Sequence, residues 1–292
     1  MLKAGIVFAD QITTVSPTYA QEIQAAPGGC GLEGVLQERA SDLTGIVNGI
    51  DTKLWNPKAD EFIPCPYGID NVKDGKCTAR VALAARLGHT APDDRPLLAF
   101  VGRLAEQKGV SLVVDLLHRM AGSGIARFVV LGTGDPQFEE SLRIVASQYP
   151  ESIDVVIGFD EVLAHVIQAA ADILLMPSQY EPCGLAQLYA FQYGTIPIVR
   201  ATGGLVDTVV NLSDQTCADG TASGFVFDAF ESAALEAAVR QAIDARGNAE
   251  LWQDLVRSVM QQDWSWDVSA KKYQKVYGRA LGNAPVDVVE EG

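Results

Sequence analysis

Asp172-Ile173-Leu174-Leu175-Met176-Pro177-Ser178-Gln179-Tyr180-Glu181-Pro182-Cys183-Gly184-Leu185-Ala186-Gln187-Leu188-Tyr189 is the stretch that decides the fold. Asp172 to Met176 has the length and aliphatic composition of a buried strand, and Leu185 to Tyr193 is a helix-compatible run. Pro182-Cys183-Gly184 turns the chain from one into the other. Glu181 therefore falls at a strand-to-helix junction, the carboxyl end of a strand, where α/β folds place ligands. Backbone N–H groups left free at such a helix start favour anionic or oxygen-rich partners.

The same rhythm extends outward. Strand candidates are Leu97 to Val101, Arg127 to Leu131, Ile153 to Ile157, Asp172 to Met176, Ile196 to Val199 and Gly224 to Phe227. Between them lie runs of helical composition such as Val110 to Met120, Gln137 to Gln148 and Glu231 to Ala245. Alternation of this kind predicts βαβ units: an α/β fold with a doubly wound parallel sheet of Rossmann type. The first 60 residues break the pattern. A helix-like start leads to Ile12-Thr13-Thr14-Val15, a Gly-rich loop follows at Pro27 to Gly31, and Gly45 to Asp51 reads as another strand and turn. That is too little for an independent α/β domain and reads as the tail of one. Near the other end Trp264-Ser265-Trp266 precedes a helical pattern from Val268 to Leu281, and residues 283–292 read as an acidic, disordered tail.

Length and composition narrow the function classes. A chain of 292 residues with 48% hydrophobic content has ample material for a packed core. A formal charge of -15 and the lack of a basic stripe argue against a nucleic-acid partner. Cys30, Cys65, Cys77, Cys183 and Cys217 are odd in number and widely spaced, so neither a disulfide framework nor a metal site is indicated. No stretch approaches membrane-spanning length and no cleavage signal follows Met1, which predicts a cytoplasmic protein without a membrane partner.

Several turns carry candidate chemistry. Gly102-Arg103-Leu104-Ala105-Glu106-Gln107-Lys108-Gly109 follows the first strand of the series. Its cations read either as a phosphate clamp or as solvated charges around a turn. Leu131-Gly132-Thr133-Gly134-Asp135-Pro136 resembles the opening of a dinucleotide fingerprint, but Gln137 stands where the third glycine belongs. A tight turn facing a nucleotide is preferred there to hydride chemistry, so a dehydrogenase is the weaker reading. Thr202-Gly203-Gly204 after Ile196 to Val199 serves equally well as a close backbone approach to a ligand or as a packing turn. His89, His118 and His165 stand singly and read as structural or exposed. Cys183 beside Glu181 reads as a buried thiol rather than a nucleophile, Asn48-Gly49-Ile50-Asp51 as a turn, and the tryptophans at 264 and 266 as packing anchors.

Taken in order, these pieces resemble the bacterial glycogen synthase and plant starch synthase family, retaining glycosyltransferases of the GT-B fold that use ADP-glucose. The resemblance runs from Ala9-Asp10 and Thr14-Val15-Ser16-Pro17-Thr18-Tyr19-Ala20 through Gly31-Leu32-Glu33-Gly34-Val35-Leu36, Asn48 to Asp51 and Trp55-Asn56-Pro57. It continues through Gly102-Arg103-Leu104, Gln107-Lys108-Gly109, Glu181 to Leu185, Tyr193 to Arg200 and Thr202 to Leu205. It implies that Arg103 and Lys108 hold the donor pyrophosphate and that Glu181 lies by the transferred glucose. It further implies that the backbone at Cys183, Gly184 and Leu185 binds sugar or phosphate oxygens, and that Asn48 reaches the sugar from the hinge. Phe159 would lie near adenine, with Gly102, Gly134, Thr202, Gly203 and Gly204 completing the donor pocket.

The implied activity is transfer of glucose from ADP-glucose to the non-reducing end of an α-1,4-glucan such as glycogen, with retention. No cofactor is implied beyond the donor itself, and the compartment would be the cytoplasm, or the plastid in a plant. Related glycosyltransferases that use other nucleotide sugars often carry a second glutamate eight positions after the first; Tyr189 stands there, as in the glucan synthases. Ala186 replaces the Ser or Thr common in the family. The family's Lys-x-Gly-Gly-Leu loop has no counterpart, which makes the chain resemble the donor-binding half of an N-terminally truncated enzyme. On that basis residues 1–47 are expected to be a remnant of the acceptor-side domain, 48–95 a hinge and connector, and 96–263 the nucleotide-sugar domain. Residues 264–282 are expected to form a helix returning toward the first domain. The competing reading is a non-catalytic nucleotide- or glucan-binding fragment, and oligomeric state is left open.

Overall fold

Six runs of branched and aliphatic residues assemble into one parallel sheet, as strands with no polar face must when helices cover both sides. The computed structural model describes residues 1–92 and 94–282, so the tail expected at 283–292 lies outside the described residues. The strands in chain order are β1 (Ile12–Thr14), β2 (Leu43–Gly45), β3 (Leu97–Val101), β4 (Arg127–Gly132), β5 (Ile153–Ile157), β6 (Ile173–Met176), β7 (Ile196–Arg200) and β8 (Phe225–Phe227). The main sheet runs β5-β4-β3-β6-β7-β8 and every pairing in it is parallel. All six residues of β4 and all four of β6 are buried, which identifies them as interior strands.

Helices Val110–Met120, Pro136–Gln148 and Ser232–Gly247 pack against one another on one side of this sheet. Helices Val72–Arg86, Glu161–Ala170, Ala186–Gln192 and Ala249–Met260 form the layer on the other side. Their starts are written locally. Asp135 accepts from the Gln137 N–H with Pro136 in the first turn, and Asp160 accepts from the Leu163 N–H. After β3 the chain moves outward to β4 and β5, then returns to place β6 on the other side of β3. The carboxyl ends of β3 and β6 therefore flank the crevice at which doubly wound sheets bind ligands.

The N-terminal segment differs from its sequence reading in one detail. The strand expected at Gly45 to Asp51 lies earlier, at Leu43–Gly45, paired in parallel with Ile12–Thr14. Beyond it the backbone finds other partners: the Ile50 N–H donates to the Trp264 carbonyl at 2.8 Å, and Ser269 Oγ donates to the Val47 carbonyl at 2.7 Å. A helix from Trp266 to Ala280 lies against this segment, with Arg279 Nη2 donating to Thr44 Oγ1 at 2.7 Å. The connector after Asp51 is pinned by aromatic stacking. Trp55 stacks on His165 at 3.8 Å and on Tyr189 at 3.9 Å between ring centroids, nearly parallel to each. Beneath it His165 Nδ1 contacts Asp60 Oδ2 at 2.8 Å, and the Tyr193 hydroxyl donates to the same oxygen. His165 is fully buried and structural.

Candidate active site

The loop after β3 is fastened to the loop after β6 by a glycine that no other residue could replace without strain. Gly109 has φ +70°, and a Cβ there would stand 2.0 Å from the Pro177 carbonyl oxygen. This close approach delivers Lys108 to Glu181, with Nζ 2.5 Å from Oε2. Ser178 Oγ donates to the same oxygen at 3.0 Å. Glu181 is only 6% exposed, and one ammonium and one hydroxyl meet its carboxylate there. Gln107 adds a second clasp: its Nε2 donates to the Tyr180 carbonyl at 2.6 Å, and its own carbonyl accepts from the Gln179 N–H at 2.9 Å. Arg103 is exposed and spends one Nη2 contact, at 3.1 Å, on Gln107 Oε1.

The loop after β7 closes the third side. Gly203 has φ +46°, and a Cβ there would meet the Glu181 carbonyl oxygen at 2.1 Å. The Gly204 N–H donates to that same carbonyl at 3.0 Å. Around the turn between Glu181 and the helix Ala186–Gln192, the N–H groups of Cys183, Gly184 and Leu185 meet no acceptor among the described residues. They form a short arc of donors beside a buried carboxylate. The Asn48 backbone N–H bonds the Cys183 sulfur, and burial, the largest influence, raises the Cys183 thiol, which keeps it protonated and unsuited to nucleophilic attack. Thr202 is buried next to this turn, while Leu185 faces outward.

Two of the sequence candidates lie outside the Glu181 cluster itself, although Gly134 is bridged to Leu104, the neighbour of Arg103. The Gly134 N–H donates to Glu139 Oε1 at 3.1 Å and Thr133 Oγ1 to the same oxygen at 2.8 Å, so the turn after β4 is capped by its own helix. Those hydrogen bonds hold the Glu139 carboxyl below its usual range. Phe159, after β5, is 90% exposed. Gly102 lies at the end of β3, at the mouth of the crevice. No group of three metal-ligating side chains occurs among the described residues.

A family model described as "Glycosyl transferases group 1" matches residues 84–258, the sheet and all three loops. The chain belongs to this glycosyl transferase family. A second model, "Starch synthase catalytic domain", matches residues 1–38. Glycogen synthase of Francisella tularensis subsp. novicida is 46% identical over 276 residues, covering 94% of this chain and 56% of that protein. The chain thus spans about half the length of the curated relatives it matches. Among solved structures, the catalytic domain of starch synthase IV from Arabidopsis thaliana, bound to ADP and acarbose, superposes with a TM-score of 0.90 at 37% identity. That alignment covers 97% of this chain and 58% of that one. Sucrose-phosphate synthase from Thermosynechococcus elongatus, at 22% identity and a TM-score of 0.64 over 96% of this chain and 61% of that one, shares the fold. The sheet with its switch-point crevice is a GT-B glycosyltransferase half.

Within this glycosyl transferase frame, five side chains matter that the sequence reading left without a role. Ser178 and Gln107 position Glu181 and its loop, as described. Arg200, at the end of β7, donates from Nε to the Ser178 carbonyl at 2.8 Å and from Nη2 to the Gln179 carbonyl, tying the loop to the sheet. Glu22, from the helix Pro17–Glu22, accepts from the Gly203 N–H at 2.8 Å and from Thr202 Oγ1 at 3.2 Å. Asp207 answers by accepting from the Thr18 N–H at 2.9 Å and Thr18 Oγ1 at 2.7 Å, which docks that helix on the loop. Only Arg200 had a local signal, its place at a strand's carboxyl end; the others depend on loops meeting across the crevice. Tyr189, read from sequence as a mark of donor choice, has its ring committed to the stack on Trp55.

Proposed function

We propose that this chain forms the donor-binding wall of a glucan synthase that transfers glucose from ADP-glucose to the non-reducing end of an α-1,4-glucan, with retention. One observation carries the reading: Glu181, Lys108 and Arg103 converge at the crevice between β3 and β6 beside unpaired backbone donors. In glucosyl transfer the bond between sugar C1 and the diphosphate breaks, leaving negative charge on ADP and positive charge on the sugar ring. Arg103, exposed and forked, suits the diphosphate, with Lys108 bridging it to Glu181. Glu181 suits the oxocarbenium-like ring, and the N–H groups at Cys183, Gly184 and Leu185 suit oxygen atoms of the sugar or phosphate. Because the donor brings its own leaving group, the reaction calls for no further cofactor, and we assign it to the cytoplasm, or the plastid in a plant. No helix among the described residues is long and apolar enough to cross a membrane.

A second reading, a nucleotide- or glucan-binding module without transfer, draws support from Glu22, whose carboxylate occupies the Gly203 N–H. Two measurements separate them. Radiolabelled glucose transfer from ADP-glucose to glycogen is expected on the catalytic reading, and no transfer with intact ADP binding would favour the module. In calorimetry, Arg103→Ala is expected to weaken ADP binding at least tenfold, the loss of a charged hydrogen bond of about 1.5–3 kcal/mol. Equal affinity in that variant would remove the clamp from the proposal.

A further inference from the structure

At the opposite end of the sheet lies a second charged cleft, of about 640 Å³, between the helices Val72–Arg86 and Ala249–Met260. That volume is in the range of small-molecule sites. Its inner wall is a cluster around Asp172, the residue immediately before β6. Arg80 Nη2 stands 2.6 Å from Asp172 Oδ2 and Arg246 Nε stands 3.0 Å from Oδ1. The Leu97 N–H also donates to Asp172, at 2.8 Å. Lys76 Nζ completes the wall, donating to Thr195 Oγ1 at 2.8 Å and to the Tyr193 carbonyl at 3.1 Å. One carboxylate thus faces two arginines, with a lysine beside them. The Nη groups of Arg246 have no partner among the described residues. At the rim, Lys73 and Arg257 are set against Asp70, Asp74 and Asp94, so the excess of cations lies on the inner wall, where Arg80 and Arg246 outnumber Asp172.

We propose that this cleft is a binding site for a small phosphate monoester, separate from the nucleotide-sugar crevice. Two arginines around one carboxylate leave a positive inner wall, and Arg246 presents a two-nitrogen fork, without a partner among the described residues, of the shape that fits phosphate oxygens. Trp252 lines the cleft and supplies an apolar wall for the organic part of the ligand. Burial pushes the Lys76 ammonium down to about 7; Asp172 opposes that shift, while Arg80 and Arg246 add to it. A bound dianion would restore its charge, so binding draws in a proton. The two sites lie at opposite ends of β6, the six steps from Asp172 to Ser178 spanning about 20 Å at about 3.3 Å each. They are also joined through Lys76, which holds the carbonyl of Tyr193, the residue capping the helix that begins next to the Glu181 turn.

The test is calorimetric titration of the 292-residue chain with inorganic phosphate and with methyl phosphate, the simplest monoester, at pH 7.5. Wild type and Arg103→Ala are expected to bind alike, since Arg103 belongs to the other crevice. Arg246→Gln is expected to weaken binding about tenfold or more. Arg257→Gln, a rim change with no buried partner, guards against misfolding of the Arg246 variant and is expected to weaken binding a few-fold. Repeating the titration in buffers of different ionisation enthalpy is expected to show proton uptake that Lys76→Met abolishes. The proposal is overturned if neither probe binds, if Arg103→Ala alone removes binding, or if both Arg246→Gln and Arg257→Gln leave it unchanged.

Discussion

The two ends of β6 each hold a buried carboxylate next to a cation, yet they are built differently. Asp172, at the amino end, is gripped by Arg80, Arg246 and the Leu97 N–H, groups from three separate elements. Glu181, beyond the carboxyl end, has one lysine and one serine, both from the loops that form the crevice. The first arrangement is closed, with every carboxylate oxygen paired, and it knits helices to the sheet. The second leaves a carboxylate, an exposed arginine and unpaired backbone donors facing the same opening. Saturation makes Asp172 a structural anchor, whereas incomplete pairing makes Glu181 available to chemistry.

Substitution at each end is the sharpest way to break that contrast. Asp172→Ala strands Arg80 and Arg246 without their counter-charge, an expected loss of about 3–5 kcal/mol, read from the shift of the urea midpoint. A midpoint within error of wild type would mean that the cluster does not anchor the fold. On the proposed function, Glu181→Gln should instead leave the midpoint nearly unmoved while lowering glucosyl transfer about 10²- to 10³-fold, the usual cost of removing a preorganised charge stabiliser. The reverse pattern, a collapse in stability with transfer intact, would make the two carboxylates alike.

Smaller effects refine the picture. Because the folded-state value of Lys76 lies below its ordinary one, at about 7, the folded chain binds fewer protons than the unfolded chain between pH 7 and the normal lysine range. Stability is therefore expected to rise with pH across that window, and Lys76→Met should flatten the rise in urea midpoints measured from pH 7 to 10. Identical slopes in the two proteins would show that Lys76 keeps its charge unhindered. Least of all, Glu22→Ala frees the Gly203 N–H and is expected to cost about 1 kcal/mol. Its signature should be faster hydrogen exchange at Gly203 and along the helix Pro17–Glu22, with exchange in β4 unaltered.

Much of the fold was legible because its signals are local. The strands from Leu97 to Phe227 fall within a residue or so of their expected ends, since a fully buried parallel strand must be written as a short unbroken apolar run. Gly45 to Asp51 misled because its polar and glycine-rich tail takes its hydrogen bonds from Trp264 and Ser269, more than 200 residues away. The loops bearing Arg103, Lys108 and Glu181 were recognisable as ligand-facing turns, yet nothing in their spacing required Lys108 to ion-pair with Glu181. Gly134 and Phe159, read from the same kind of turn, follow β4 and β5, where the Gly134 N–H is taken by Glu139 and Phe159 is exposed.

Sequence by itself determined the α/β class, the parallel sheet and the turns that face the crevice, because periodicity, glycine placement and helix caps act over a few residues. Tertiary structure alone decided which charges meet. The pairing of Lys108 with Glu181, the seat of Glu22 on Gly203 and the cluster around Asp172 join residues from 73 to 181 positions apart. Those distances close only when helices pack on both faces of the sheet. Charge interactions depend on distance and on exclusion of water, and a linear sequence specifies neither until the chain has folded.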